Sequence, residues 1–174
     1  ITGRVVESQG RGQDREIQAS EVTVVGRTGA GFPTTPGAFQ EVASTGTEGF
    51  VSRVSADGTR LVFSTYLGGA ASDEAIRVDE GPSGELVVAG TTSSDDFPIT
   101  PDAFDHDIDG TLLTSDAFIA RLEADGSGLL YSTYVGGGGT EDRNMDMAVD
   151  SSGAVTLAGV TNSKVFPTTP GSFN

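Results

Sequence analysis

Cysteine and tryptophan are both absent from this 174-residue chain. Without cysteine there can be no disulfide and no thiolate metal site, and the redox compartment stays open. Without tryptophan, and with only three tyrosines, the chain lacks the aromatic platforms on which sugar-cleaving funnels usually rest. The one histidine, His106, lies among aspartates with no nucleophile to serve, which argues against a Ser-His or Cys-His arrangement. No stretch has the length and apolarity to cross a bilayer as a helix, so membrane insertion is not expected. No Walker-type phosphate cradle is present, because the glycine run at 136–139 is not followed by Lys-Ser or Lys-Thr.

Positive charge is scarce as well. Ten Lys and Arg stand against 25 Asp and Glu, a net charge of −15. Residues 1–60 hold six basic and seven acidic groups, which leaves four basic and eighteen acidic groups for residues 61–174. Such a field repels phosphate backbones and anionic headgroups, so nucleic acid is not an expected partner. It solvates the surface and draws divalent cations.

Glycine is abundant. With 25 glycines and 36% hydrophobic residues, the chain reads as short strands and turns around a thin core. Six of its seven prolines fall in three copies of one phrase: FPTTPGAFQ at 32–40, FPITPDAFD at 97–105 and FPTTPGSFN at 166–174. Around them, GFVSRVSADGTRLVFSTYLGG (49–69) matches DAFIARLEADGSGLLYSTYVGG (116–137), and RVDEGPSGELVVAGTTS (77–93) matches AVDSSGAVTLAGVTNS (148–163). VTVVGRTGAG (22–31) matches the end of that last block. A period of this length marks a repeat architecture.

Each unit reads as four strands, at 49–55, 61–67, 75–79 and 85–91 in the first copy, with an Asp-Gly hairpin turn after the first strand and glycine-bearing breaks after the second and third. Four-stranded sheets repeated with glycine punctuation are the pattern of a propeller blade. The expected fold is therefore all-β: β-propeller-type repeats with four-stranded antiparallel blades, two full and one partial. Residues 1–21 form an N-terminal extension able to donate a strand, and 22–40 a half blade with its Pro-rich connector. Residues 41–105 form one blade repeat and 106–174 another. The phrase FPTTP, extended and poor in donors, reads as a stiff connector that sets the step between neighbouring blades. A PxxP ligand is the other reading.

Taken together, STYLGG (64–69), STYVGG (132–137), the DAF-led strand at 116–122, AVDSSG (148–153) and FPTTPGAFQ resemble the bacterial β-propeller repeat family called SBBP. The resemblance implies a propeller within large secreted or cell-surface proteins of bacteria or archaea, with no catalytic residue assigned to the repeat. A chain that starts at Ile1 fits the expectation of export. Open-ended blades imply either further repeats of a longer chain or a homo-oligomer, as ring or filament.

DHDIDGTLLTSD, 105–116, fits the calcium-loop template. Asp105, Asp107 and Asp109 take positions 1, 3 and 5, and Gly110 the sharp turn at 6. Thr111 offers its carbonyl at 7, and Asp116 replaces Glu at 12. Alternating aspartates can aim three carboxylates at one hard cation. The loop is similar to those of EF-hands, dockerins and integrin-like propeller repeats, here flanked by strand and connector. Ca2+ is thus the expected structural cofactor, held by Asp105, Asp107, Asp109, Thr111 and Asp116. Asp73–Glu74 and Glu141–Asp142 recur after each STY(L/V)GG and are expected at the surface, with turn capping and a second cation site as the other readings. The expected function is that of an extracellular structural, assembly or adhesion protein and not an enzyme. A propeller segment binding a glycan ligand is the alternative, and a hydrolase fragment ranks below it.

Overall fold

A computed structural model describes residues 2–7, 15–28, 31–108, 114–139 and 142–173. The described residues are all-β, with ten strands, no helix and no closed barrel or propeller ring. In chain order the strands are β1 (Thr2–Glu7), β2 (Arg15–Thr28), β3 (Glu48–Ser55), β4 (Leu61–Leu67) and β5 (Asp73–Glu80). They continue as β6 (Leu86–Thr92), β7 (Asp116–Leu122), β8 (Leu129–Val135), β9 (Asp142–Val149) and β10 (Val155–Thr161). Val, Ile, Phe, Tyr and Thr populate them because branched and aromatic side chains fit a pleated, half-buried surface. The hairpins turn on glycines in the left-handed region, Gly58 at φ 71°, Gly126 at 73° and Gly153 at 87°. An aspartate just ahead of each braces the turn; the Asp125 carboxylate, for instance, accepts the Ser127 N–H at 3.0 Å and its hydroxyl at 2.6 Å.

The strands assemble into three antiparallel sheets of order β1-β2-β3-β4, β5-β6-β7-β8 and β10-β9. The sheets do not coincide with the sequence units 41–105 and 106–174. β3 and β4 belong to the first sheet, while β5 and β6, from the same sequence unit, open the second. Ladder pairing between β6 and β7, with Gly90 opposite Phe118, bridges the unit boundary. The sheets are offset by half a unit from the phrases that mark the repeat. At the N-terminus, β1 does pair with β2 and completes four strands, but its register covers residues 15–21 of β2. Residues 21–28 of β2 pair in a ladder with β3.

The proline phrases at 32–40 and 97–105 do not make the step between sheets; each joins the two middle strands of one sheet and lies along that sheet's last strand. Thr35 N–H donates to the Ser64 carbonyl at 3.0 Å, and Ser64 N–H returns to Thr35 Oγ1 at 3.0 Å. Thr100 repeats both bonds with Ser132, at 3.3 and 3.1 Å. Proline supplies the extended shape while the threonines meet the edge, so the phrase covers donors and acceptors that an edge strand would otherwise present to another chain. The phrase's phenylalanine turns inward. Phe32 packs 4.4 Å from Phe50 and 6.2 Å from Tyr66, and Phe97 packs 4.5 Å from Phe118 and 6.2 Å from Tyr134.

The step between sheets is made by the glycine-rich segments after β4 and β8. Val51, Phe63, Leu67, Leu86, Val88, Phe97, Phe118, Leu122 and Tyr134 form one core across the first two sheets. Arginines reach from one sheet to the next: Arg53 Nη1 donates to the Ala124 carbonyl at 3.3 Å, and Arg121 Nη2 donates to the Gly153 carbonyl.

Candidate functional site

Both candidate sites follow from where the acidic residues fall on this framework. In the 105–116 loop, Asp105 is held by its backbone: its N–H donates to Thr133 Oγ1 at 2.9 Å, and its carbonyl accepts from Tyr134 N–H at 3.3 Å. Asp107 N–H donates to Asp105 Oδ1 at 3.3 Å, so the loop starts with an Asx-type turn that brings these two aspartates together. Asp109 and Thr111 lie outside the described residues. Asp116 is the first residue of β7, 1% exposed, with its carboxyl against Gly136. His106 is exposed. Among the described residues, no group of three acidic or histidine side chains stands close enough to hold a metal ion.

The second cluster occupies the junction between the first two sheets, where Asp73 N–H donates to the Thr47 carbonyl at 2.7 Å. Glu48, the first residue of β3, and Asp73, the first residue of β5, are both fully buried. The two carboxyls close over Gly68. A Cβ there would meet Glu48 Oε2 at 2.3 Å and Asp73 Oδ2 at 2.6 Å, so only glycine fits. Asp73 is well supplied: Oδ1 accepts from Thr92 Oγ1 at 2.5 Å, and Oδ2 accepts from Gly69 N–H at 2.8 Å and Ser94 Oγ at 2.9 Å. Glu48 is not. Its Oε1 accepts from Ser44 N–H at 2.7 Å, while its buried Oε2 has no partner. Asp96 stands close by, accepting from Ala70 N–H at 2.7 Å.

The electrostatics follow from this layout. Burial raises the Glu48 carboxyl above the ordinary range, the charges of Asp73 and Asp96 add to the rise, and the Ser44 N–H opposes it. Burial also raises Asp73, against the three donors that favour its ionised form. One proton shared between the two carboxyls would relieve both. Tyr134, above the pair, donates its hydroxyl to the Ser94 carbonyl at 2.7 Å and is held protonated well above the usual tyrosine range by burial.

The arrangement recurs one unit on. Asp116 and Asp142 are each 1% exposed, and a Cβ at Gly136 would lie 2.5 and 2.6 Å from the Asp116 carboxylate oxygens. Asp142 Oδ2 accepts from Gly137 N–H at 2.9 Å, and its buried Oδ1 has no partner. The expectation that Asp73 and Asp142 lie at the surface is therefore corrected: both are buried caps of the Gly-Gly turn. Glu48 escaped sequence reasoning altogether. The signal was present as an acid heading each Phe-bearing strand (Glu48-Gly-Phe, Asp116-Ala-Phe), with a Gly-Gly step four or five residues before the second acid.

Comparison with protein-family models and with curated proteins returns no match.

Proposed function

We propose that the chain is a structural unit of an extracellular assembly, built from propeller-type repeats of the SBBP kind and extended end to end by further copies or further repeats. One observation carries the reading. Where β5 and β6 continue into β7 and β8, the equivalent pair β9 and β10 forms a sheet of two strands, with Val160 and Val165 54% and 68% exposed beside it. An apolar half-sheet with an unpaired edge favours addition of more strands. In this reading each four-stranded sheet is one blade. The 105–116 loop, with Asp105, Asp107, Asp109, Thr111 and Asp116 as ligands, takes up Ca2+ as a structural staple at the entry to a blade.

Sedimentation velocity across micromolar to submillimolar protein tests the reading. Concentration-dependent growth is expected, and electron micrographs of the grown species distinguish ring from filament. A single monomeric boundary at every concentration overturns extension by further copies and leaves further repeats of a longer chain as the means of extension.

A further inference from the structure

The segment between the first proline phrase and β3, residues 41–47, is lightly held. Val42 is 81% exposed, and Ser44 and Thr45 are exposed as well. Thr45 Oγ1 donates to the Ala70 carbonyl at 3.1 Å, and a parallel bridge joins Thr47 to Ser72, where the Thr47 carbonyl accepts the Asp73 N–H at 2.7 Å. Glu48 adds a tie of another kind. Its Oε1 accepts the Ser44 N–H, while its Oε2 shares the space over Gly68 with Asp73 Oδ2. That space is ill suited to two charges. Both side chains are fully buried. Thr92 and Ser94 at the end of β6, and Gly69 in the turn after β4, donate to Asp73. Tyr134 of β8 donates its hydroxyl elsewhere, to the Ser94 carbonyl. Asp96, beyond β6, adds negative charge, and among the described residues no basic side chain bears on either carboxyl. A proton between Glu48 Oε2 and Asp73 Oδ2 turns a repulsive contact into a hydrogen bond.

We propose that this proton is a latch: while it is held, Glu48 fastens segment 41–47 to the junction of the first two sheets, and when it leaves, Glu48 swings out to water with that segment and the junction loosens. Glu48 is the partner that moves. One backbone donor, on the exposed Ser44, holds its ionised form, whereas Asp73 keeps three donors after the proton has gone. Opening is local, because the ladder between β6 and β7 runs from Leu86 to Thr92 without using Glu48 or Asp73. The direction in pH follows from burial, which raises both carboxyls. The closed junction is fully favoured below the ordinary carboxylate range and loses ground as pH climbs towards the raised values. The device works within one chain, so it stands apart from the assembly reading.

Amide hydrogen exchange on the full chain, followed by residue from pH 5 to 8 and corrected for the intrinsic exchange rate, tests the latch. Protection of the Asp73 amide, which donates to Thr47 across the junction, is expected to fall by about tenfold per pH unit until the raised value is passed. Amides of the β6–β7 ladder should stay level. Glu48→Gln has no proton to lose and should keep the Asp73 amide equally protected at every pH. A flat profile in the wild type, a fall that Glu48→Gln shares, or a fall common to the ladder amides overturns the proposal. If Glu48→Gln does not fold, carbon-13 titration of the wild-type carboxyls decides. One proton retained on the pair above the ordinary carboxylate range is the expected result, and two carboxylates already ionised at pH 5 overturn the latch.

Discussion

Replacing Glu48 with glutamine should stabilise the protein at neutral pH. Glu48 Oε2 is buried without a partner and shares the space over Gly68 with Asp73 Oδ2. Two carboxyl groups therefore compete for a pocket that supplies donors to only one of them. Glutamine of the same length puts an amide N–H where the unpaired oxygen sits, aimed at Asp73. An unsatisfied buried polar group costs about 1–3 kcal/mol, so Glu48→Gln should gain about that much. In a domain of this size each kcal/mol moves the melting temperature by roughly 2–4 °C, a rise of about 2–12 °C. The pH dependence has a definite sign. Because the folded-state value for Glu48 is raised, its contribution is fully present below the ordinary carboxylate range and is lost as pH climbs through the raised value. The advantage of Glu48→Gln should thus shrink as pH falls from 8 towards 5. Asp57, lowered to about 2 by its bonds to Ser55 and Thr59, and Asp125, lowered by Ser127, lose their contributions only at more acidic pH, so the group that titrates alongside Glu48 in this window is Asp73, itself raised by burial. Thermal melts of both proteins at half-unit steps from pH 5 to 8 make the measurement. A variant less stable than wild type at pH 7, with a gap that does not close on acidification, would refute the idea of an unpartnered oxygen.

Two further outcomes test the framework. Gly126 and Gly58 occupy matching hairpin turns at φ 73° and 71°, but a Cβ at Gly126 would lie 2.3 Å from the Phe63 ring while one at Gly58 meets nothing within 4 Å. Gly58→Ala should cost about 1 kcal/mol of backbone strain, and Gly126→Ala about 1–3 kcal/mol more from overpacking, read as midpoints in urea. Equal losses would show that the second sheet's turn does not rest on Phe63. For the 105–116 loop, EGTA should lower the melting temperature of the wild type, and Asp107→Ala should lower it without further response to EGTA; a wild type indifferent to chelation removes the calcium site.

The strands were legible in the sequence because their turns carry glycine, directly preceded by Asp at Gly58 and Gly126. The grouping of strands into sheets was not. A proline phrase reads as a spacer whether it leads to the next sheet or back along the present one, and local pattern does not say which ladder β6 will join. The clue was chemical rather than periodic: a Cβ at Gly90 would meet the Glu74 carbonyl at 2.0 Å and the Phe118 ring at 2.7 Å, and the pairing of Gly90 with Phe118 crosses the apparent unit boundary. Burial of Glu48, Asp73, Asp116 and Asp142 was equally hidden, since a lone acid at a strand start looks solvated until Gly68 or Gly136 is seen to leave room for it.

The half-unit offset has a structural consequence. Each full sheet draws two strands from one phrase unit and two from the next, as β5 and β6 join β7 and β8 across the phrase at 97–105. The buried acid pairs do the same between sheets, Glu48 with Asp73 and Asp116 beside Asp142, so every junction is completed by residues from both sides. A unit defined by its phrase is therefore never a folded sheet by itself. The core follows the same logic, with Val51, Phe63 and Leu67 of one sheet packed in a single cluster with Leu86, Phe118 and Tyr134 of the next.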